Sequence, residues 1–81
     1  MILLDGFNEA LIGDISIAGT MRVACYDYEK IIEILKQDMS EEEAIEYFIY
    51  NIEHAYFGEG TPAILFKYDI ENLIAEIVEI D

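Results

Sequence analysis

Residues 14–35 read DISIAGTMRVACYDYEKIIEIL. The spacing of apolar residues changes within this stretch, and that change decides the fold class. Ile15 and Ile17 alternate with polar or small neighbours, and Ala18-Gly19-Thr20 supplies a turn. Met21–Tyr26 alternates again, with Met21, Val23 and Cys25 on one face and Arg22, Ala24 and Tyr26 on the other. Beyond Asp27 the period lengthens. Tyr28, Ile31, Ile32 and Leu35 recur at i, i+3, i+4, i+7, with Glu29, Glu33 and Lys36 on the opposite side. The reading is a hairpin that runs directly into an amphipathic helix, with Asp27 as its N-cap.

Upstream, Ile2–Leu4 is an apolar burst stopped by the turn-forming Asp5-Gly6. FNEALIG (7–13) reads as a short helical or irregular piece leading into the first strand. Downstream, Ser40 followed by Glu43 is a capping-box pattern that opens a second helix. This helix is expected from Glu41 to about Phe57, with Ala44, Ile45, Phe48, Ile52, Ala55 and Tyr56 on its apolar side and Gly58 just past its end. Asn51 falls toward that apolar side, so its amide is expected to be buried against loop backbone near Gly6 or Gly13. AILFKY (63–68) is expected as a strand covered on both faces, and therefore central. Asp69 can then cap a third helix, IENLIAEIVEI, whose stripe is Ile70, Leu73, Ile74 and Ile77; alternatively Val78–Ile80 frays or forms a last short strand. One small sheet needs a helical cover for its apolar face, so the expected architecture is a single α+β domain over 1–81: two layers, short antiparallel strands, about three helices.

Acidic residues outnumber basic ones by 18 to 4, for a formal charge of -14. That exceeds the magnitude of roughly 2–8 usual in a small domain. Yet 54% of the residues are apolar, which excludes a disordered acidic tail. Self-repulsion on this scale weakens folding at low salt and disfavours contact with nucleic acid or an anionic membrane. It favours a basic partner. MILLDGF reaches an acid at its fifth residue, which predicts no signal peptide, and no apolar run approaches the length of a membrane span. Cys25 is the only cysteine, so no intrachain disulfide forms and a reducing compartment is expected. Its setting, VACY, reads as a strand interior, and a buried apolar role is favoured over a nucleophilic one.

Chemistry leaves little mark on the chain. DGFNEALIGD (5–14) has neither the ligand spacing nor the terminal glutamate of a calcium loop. His54 has no serine, second histidine or cysteine spaced to meet it, and no glycine-rich phosphate motif is present. No catalytic residue, cofactor or metal is expected. What stands out instead is the helix from Glu41 onward. Asp38, Glu41, Glu42, Glu43 and Glu46 place five acids within nine residues, with Lys36 the only base nearby. Helices usually gain a few tenths of a kcal/mol from each i,i+4 Glu–Lys pair, whereas Glu42–Glu46 is a like-charge pair at that spacing. Glu71 and Glu76 supply a second acidic row on the third helix.

As a set, DGFNEALIG (5–13), VACYDYEKIIEIL (23–35) and SEEEAIEYFIYNIEHAYFGEGTP (40–62) resemble a family of small tailed-bacteriophage proteins, mostly without assigned role. That family runs from a DGF…A..G start through YD..K and EEA.E(Y/F)…N to G.GTP. The resemblance rests on Asp5-Gly6-Phe7, Tyr26-Asp27, Glu42-Glu43-Ala44, Tyr47, Asn51 and Gly58–Pro62, and it covers most of the chain. It departs at DISIAGTMR (14–22) and in the added segment IENLIAEIVEI. The resemblance implies no catalytic residues. It implies a host-cytoplasmic setting, in which small acidic phage proteins bind and disable host enzymes.

The functional expectation is therefore a non-enzymatic acidic binding protein. It engages a basic protein surface through Glu42, Glu46, Tyr47, Tyr50, Glu53, Glu71 and Glu76, with the tyrosines as anchors. One form of this is nucleic-acid mimicry directed at a host nucleic-acid-handling or defence protein. Duplex DNA carries one charge per ~1.7 Å, so a mimic needs both acidic rows on one side of the fold. The alternatives are an accessory or structural phage protein whose acid only confers solubility, and a homodimer built on the tyrosines.

Overall fold

The computed structural model describes residues 1–67. A short 3-10 turn, Asn8–Ala10, leads into β1 (Leu11–Ile17), which pairs antiparallel with β2 (Met21–Asp27). Ile15 stands opposite Val23 and Ile17 opposite Met21. The strand starts earlier than its alternation shows, because one residue bulges between Leu11 and Gly13 and breaks the period of two. At the hairpin, Ala18 and Gly19 both hold positive φ, 50° and 73°. Thr20 closes the turn by donating its N–H and its hydroxyl to the Ile17 carbonyl, at 2.9 and 2.7 Å. An exposed Arg22–Asp14 ion pair at 2.7 Å crosses the two strands.

β2 delivers the chain into α1 (Tyr28–Leu35) with no loop. Asp27 ends the strand and caps the helix, accepting from the Glu29 N–H at 3.1 Å. Ile31, Ile32 and Leu35 are buried as their spacing predicts. After Met39, α2 (Glu41–Phe48) opens on the capping box: Glu43 N–H to Ser40 Oγ and Ser40 N–H to Glu43 Oε1, both 3.2 Å.

Here the helix departs from the expected course. Ile49–Glu53 continue it as a wide π turn, and it ends there rather than near Phe57. A π turn takes about one residue more than an α turn. Ala44, Phe48 and Ile52 therefore stay in line on the buried side at intervals of four. Asn51 is carried outward by the same slip. It is exposed, and its Nδ2 donates to the Tyr47 carbonyl one turn back at 3.1 Å, so the expected buried bracket to Gly6 or Gly13 does not form. Tyr56, expected on the apolar face, is 78% exposed. Gly58, with φ 109°, belongs to a loop and not to a helix end. Its carbonyl accepts the Thr61 hydroxyl at 2.6 Å, and that hydroxyl oxygen takes the Phe57 N–H at 2.8 Å.

The loop returns the chain to β3 (Ala63–Leu65), which pairs with β2 in parallel, Tyr26 beside Ile64. The sheet order is β1-β2-β3. Two expectations are corrected here: among the described residues the AILFKY strand lies at an edge, and its pairing is not antiparallel. Both follow from the crossover. With two helices between them, β2 and β3 run the same way, and β2, not β3, takes the central place. The apolar run had a different use, since Phe66 leaves the strand to stack on Tyr28 (4.7 Å between centroids) and Phe48 (6.1 Å).

Among the described residues the result is a small α+β domain in two layers, a mixed three-stranded sheet under two helices. Its core joins Ala24 and Tyr26 of the sheet to Ile31, Ile32, Leu35, Ala44, Phe48 and Ile52 of the helices. Tyr26, fully buried, accepts the Leu4 N–H at 2.8 Å and so ties the N-terminal segment to the central strand. Lys67 Nζ reaches Asp27 at 2.9 Å and closes the far edge. Hydrogen bonding to the Asp27 carboxylate, and then its charge, hold Lys67 above the ordinary lysine range. The expected third helix, with Glu71 and Glu76, lies outside the described residues.

Candidate functional site

The outward side of the second helix is built from its first turn. Three acids there suit the positive end of the helix, but only Glu43 turns back to the cap. The Ser40 amide, and then its hydroxyl, hold the Glu43 carboxyl below the usual glutamate range. Glu41 and Glu42 take no part in the cap. Glu42, Glu46 and Tyr50 follow one another at intervals of four and lie along one side of the helix. All three are exposed, as are Tyr47 and Glu53. Tyr50, within the wide turn, is 77% exposed, and Tyr47, in the α-helical part before it, 43%. Five of the sequence-predicted partner residues, Glu42, Glu46, Tyr47, Tyr50 and Glu53, thus share the solvent side of one helix. His54, exposed at its C-terminal cap, continues the same side.

Where the cations go is the informative contrast. Arg22 pairs with Asp14, Lys30 with Glu33 and Lys67 with Asp27. No ion pair reaches an acid of the second helix among the described residues, and residues 68–81 contain no lysine, arginine or histidine that could supply one. The chain spends its few bases on the hairpin, on the first helix and on the β3–α1 junction.

A feature not legible in the sequence lies between the two helices. An open groove of about 260 Å³ is lined by Tyr28, Glu29, Ile32, Glu33, Lys36, Glu41 and Ile45. Ile32 is buried, Tyr28 and Ile45 are half-buried, and the four charged residues are exposed. This gives an apolar floor under a rim of three carboxylates and one ammonium. Such a groove suits a long basic side chain, whose stem is apolar and whose head is cationic. Its only sequence signal is that Glu29, Glu33 and Glu41 all fall on wet helical faces; the packing of α1 on α2 brings them together.

Cys25 is buried and free, within the central strand. Among the described residues no group of three His, Cys, Asp or Glu side chains is placed to hold a metal ion, and no helix is long and apolar enough to cross a membrane. No family model matches the chain, and no curated protein or solved structure matches it either.

Proposed function

We propose that this chain is a non-enzymatic binding protein that captures a basic protein surface with the exposed side of its second helix. One observation carries the reading. Glu42, Glu46 and Glu53 stand exposed without ion pairs beside Tyr47 and Tyr50, while three of the four bases pair elsewhere. Unneutralised acid of one sign raises the association rate with a basic surface, and two exposed tyrosines supply apolar contact once the surfaces meet. An arginine or lysine of the partner enters the groove between α1 and α2. The resemblance to small phage proteins supports a bacterial host as the setting and a nucleic-acid-handling or defence protein of that host as the target.

A second reading has its own support. Asp5, Glu9 and Glu59, which are not residues of the second helix, are also exposed. An accessory phage protein whose acid serves only solubility has acids distributed in this way.

Capture from bacterial lysate separates the two readings. Raising salt from ~50 to ~300 mM shortens the screening length from above ~10 Å to below ~8 Å. A specific partner held at the lower salt is released at the higher. The Glu42→Gln/Glu46→Gln/Glu53→Gln variant, folded as judged by circular dichroism, loses that partner at both. Capture that survives both the salt and the substitutions overturns the proposal and leaves the solubility reading.

A further inference from the structure

Among the described residues, β1 contributes nothing to the core. All seven of its residues are exposed, and none joins the cluster formed by β2, β3 and the helices. Yet the strand carries Leu11, Ile12, Ile15 and Ile17, which are 38%, 50%, 38% and 44% exposed. Its inner edge pairs with β2, and among the described residues its outer edge pairs with nothing. Alternate residues of such a strand turn an N–H and a C=O outward. Natural edges are blunted by lysine, proline, an inward-pointing charge or a bulge. LIGDISI (11–17) has no lysine and no proline. Its bulge sits at one end, between Leu11 and Gly13, and the register from Gly13 to Ile17 is regular. Its one acid, Asp14, is held by Arg22 at 2.7 Å.

We propose that β1 is a self-association edge: a second copy of the chain pairs with it antiparallel, about a two-fold axis, and the two three-stranded sheets become one of six. The distribution of charge selects this occupant. The chain carries -14, yet residues 10–26 hold one acid and one base, Asp14 and Arg22. The whole net charge therefore lies outside the hairpin. Two copies that meet at β1 meet where neither is charged, and a basic partner finds no free acid there to recruit it. Pairing of identical strands also closes on itself after two copies, so it forms no fibre. It hides both long edges and leaves β3, three residues long, at each end of the joined sheet.

The dimer does not rest on the proposed function, but it bears on it. The core lies over β2 and β3, with Ala24, Tyr26 and Ile64 facing the helices. Pairing at β1 therefore leaves Glu42, Glu46 and Glu53 in solvent, and the dimer offers two acidic helices to a partner with two basic sites. Salt acts on the two associations in opposite senses. Capture of a basic surface weakens as salt rises. Self-pairing strengthens, because the repulsion between two chains of like charge is screened.

Sedimentation equilibrium of the full chain from ~10 µM to ~1 mM should show a dimer whose dissociation constant falls as salt is raised from ~50 to ~300 mM. Ile15→Asp/Ile17→Asp sets like charges from both copies at the junction and should raise that constant by about tenfold or more. Retained protection of the Leu4 amide shows that this variant keeps its core. Tyr47→Ser/Tyr50→Ser, on the second helix, should leave the constant unchanged. A chain that stays monomeric throughout overturns the proposal. So does a dimer that salt weakens, that the β1 variant leaves intact or that the tyrosine variant dissolves. If the β1 variant does not fold, a mixture of isotope-labelled and unlabelled parent decides. Nuclear Overhauser effects between β1 of one copy and β1 of the other support the pairing, and their absence overturns it.

Discussion

Tyr26→Phe removes one oxygen from the centre of the molecule and little else. The ring is fully buried, and phenylalanine keeps its apolar contacts, so the substitution isolates the bond from Leu4 N–H to Tyr26 Oη at 2.8 Å. Leu4 is itself buried, and among the described residues its amide has no other acceptor. Losing a hydrogen bond while leaving its buried partner unsatisfied costs about 1–3 kcal/mol. Taking about 2 kcal/mol, and about 4–8 °C per kcal/mol for a domain of this size, the melting temperature falls by about 8–16 °C. With a urea slope near ~1 kcal/mol per molar, the unfolding midpoint falls by about 2 M. Circular dichroism in urea measures the shift, and amide exchange at Leu4 locates it, since that N–H should lose its protection. A shift smaller than ~0.5 kcal/mol, the range of ordinary surface substitutions, with Leu4 still protected, would refute the reasoning. The N-terminal segment would then be held by something other than this bond.

Three further predictions concern the turn and the two perturbed charges. Ala18 sits at φ 50°, where a side chain other than glycine or asparagine costs about 1–2 kcal/mol. Ala18→Asn should therefore stabilise the hairpin by about 0.5–1 kcal/mol in urea unfolding, and a loss of stability contradicts the turn assignment. Glu43 titrates below the ordinary glutamate range because of Ser40. Its stabilising effect is thus fully present above that range and is lost as pH falls through the lowered value. Carboxyl NMR should show this, and in Ser40→Ala the midpoint should move only part of the way back, because the larger contribution comes from the backbone amide. Lys67 titrates above the ordinary lysine range because of Asp27. Its contribution is present below that range and vanishes as pH climbs through the raised value. The stability advantage of the parent over Lys67→Met should disappear in strong alkali, and an advantage independent of pH removes the ion pair from the account.

What the sequence made legible was local. Asp27 as the switch from strand to helix, the stripe Ile31-Ile32-Leu35 and the Ser40–Glu43 box each depend on residues within a turn or two of one another, and each stands in the fold. Misreadings arose where distant packing overrode local periodicity. An ideal helical wheel cannot foresee the wide turn at Ile49–Glu53, so it turned Asn51 inward and carried the helix on to Phe57. The apolar run at Ala63–Phe66 read as a central strand because nothing in it shows that Phe66 serves the aromatic cluster with Tyr28 and Phe48. Parallel pairing and the groove between α1 and α2 are products of topology. The acidic side of the second helix was legible as charge. That its acids stay free of ion pairs became visible only with the bases placed.

The central claim is that the second helix, more than the general acidity of the chain, is what a basic partner meets. Titrating the isotope-labelled protein with a short oligolysine at low salt, and following every backbone amide, tests it most directly. The account predicts shifts concentrated on Glu41–Glu53 and the adjoining groove at Glu29 and Glu33, greatly reduced in Glu42→Gln/Glu46→Gln/Glu53→Gln. Shifts of equal size at Asp5, Glu9 and Glu59, unchanged in that variant, would contradict it.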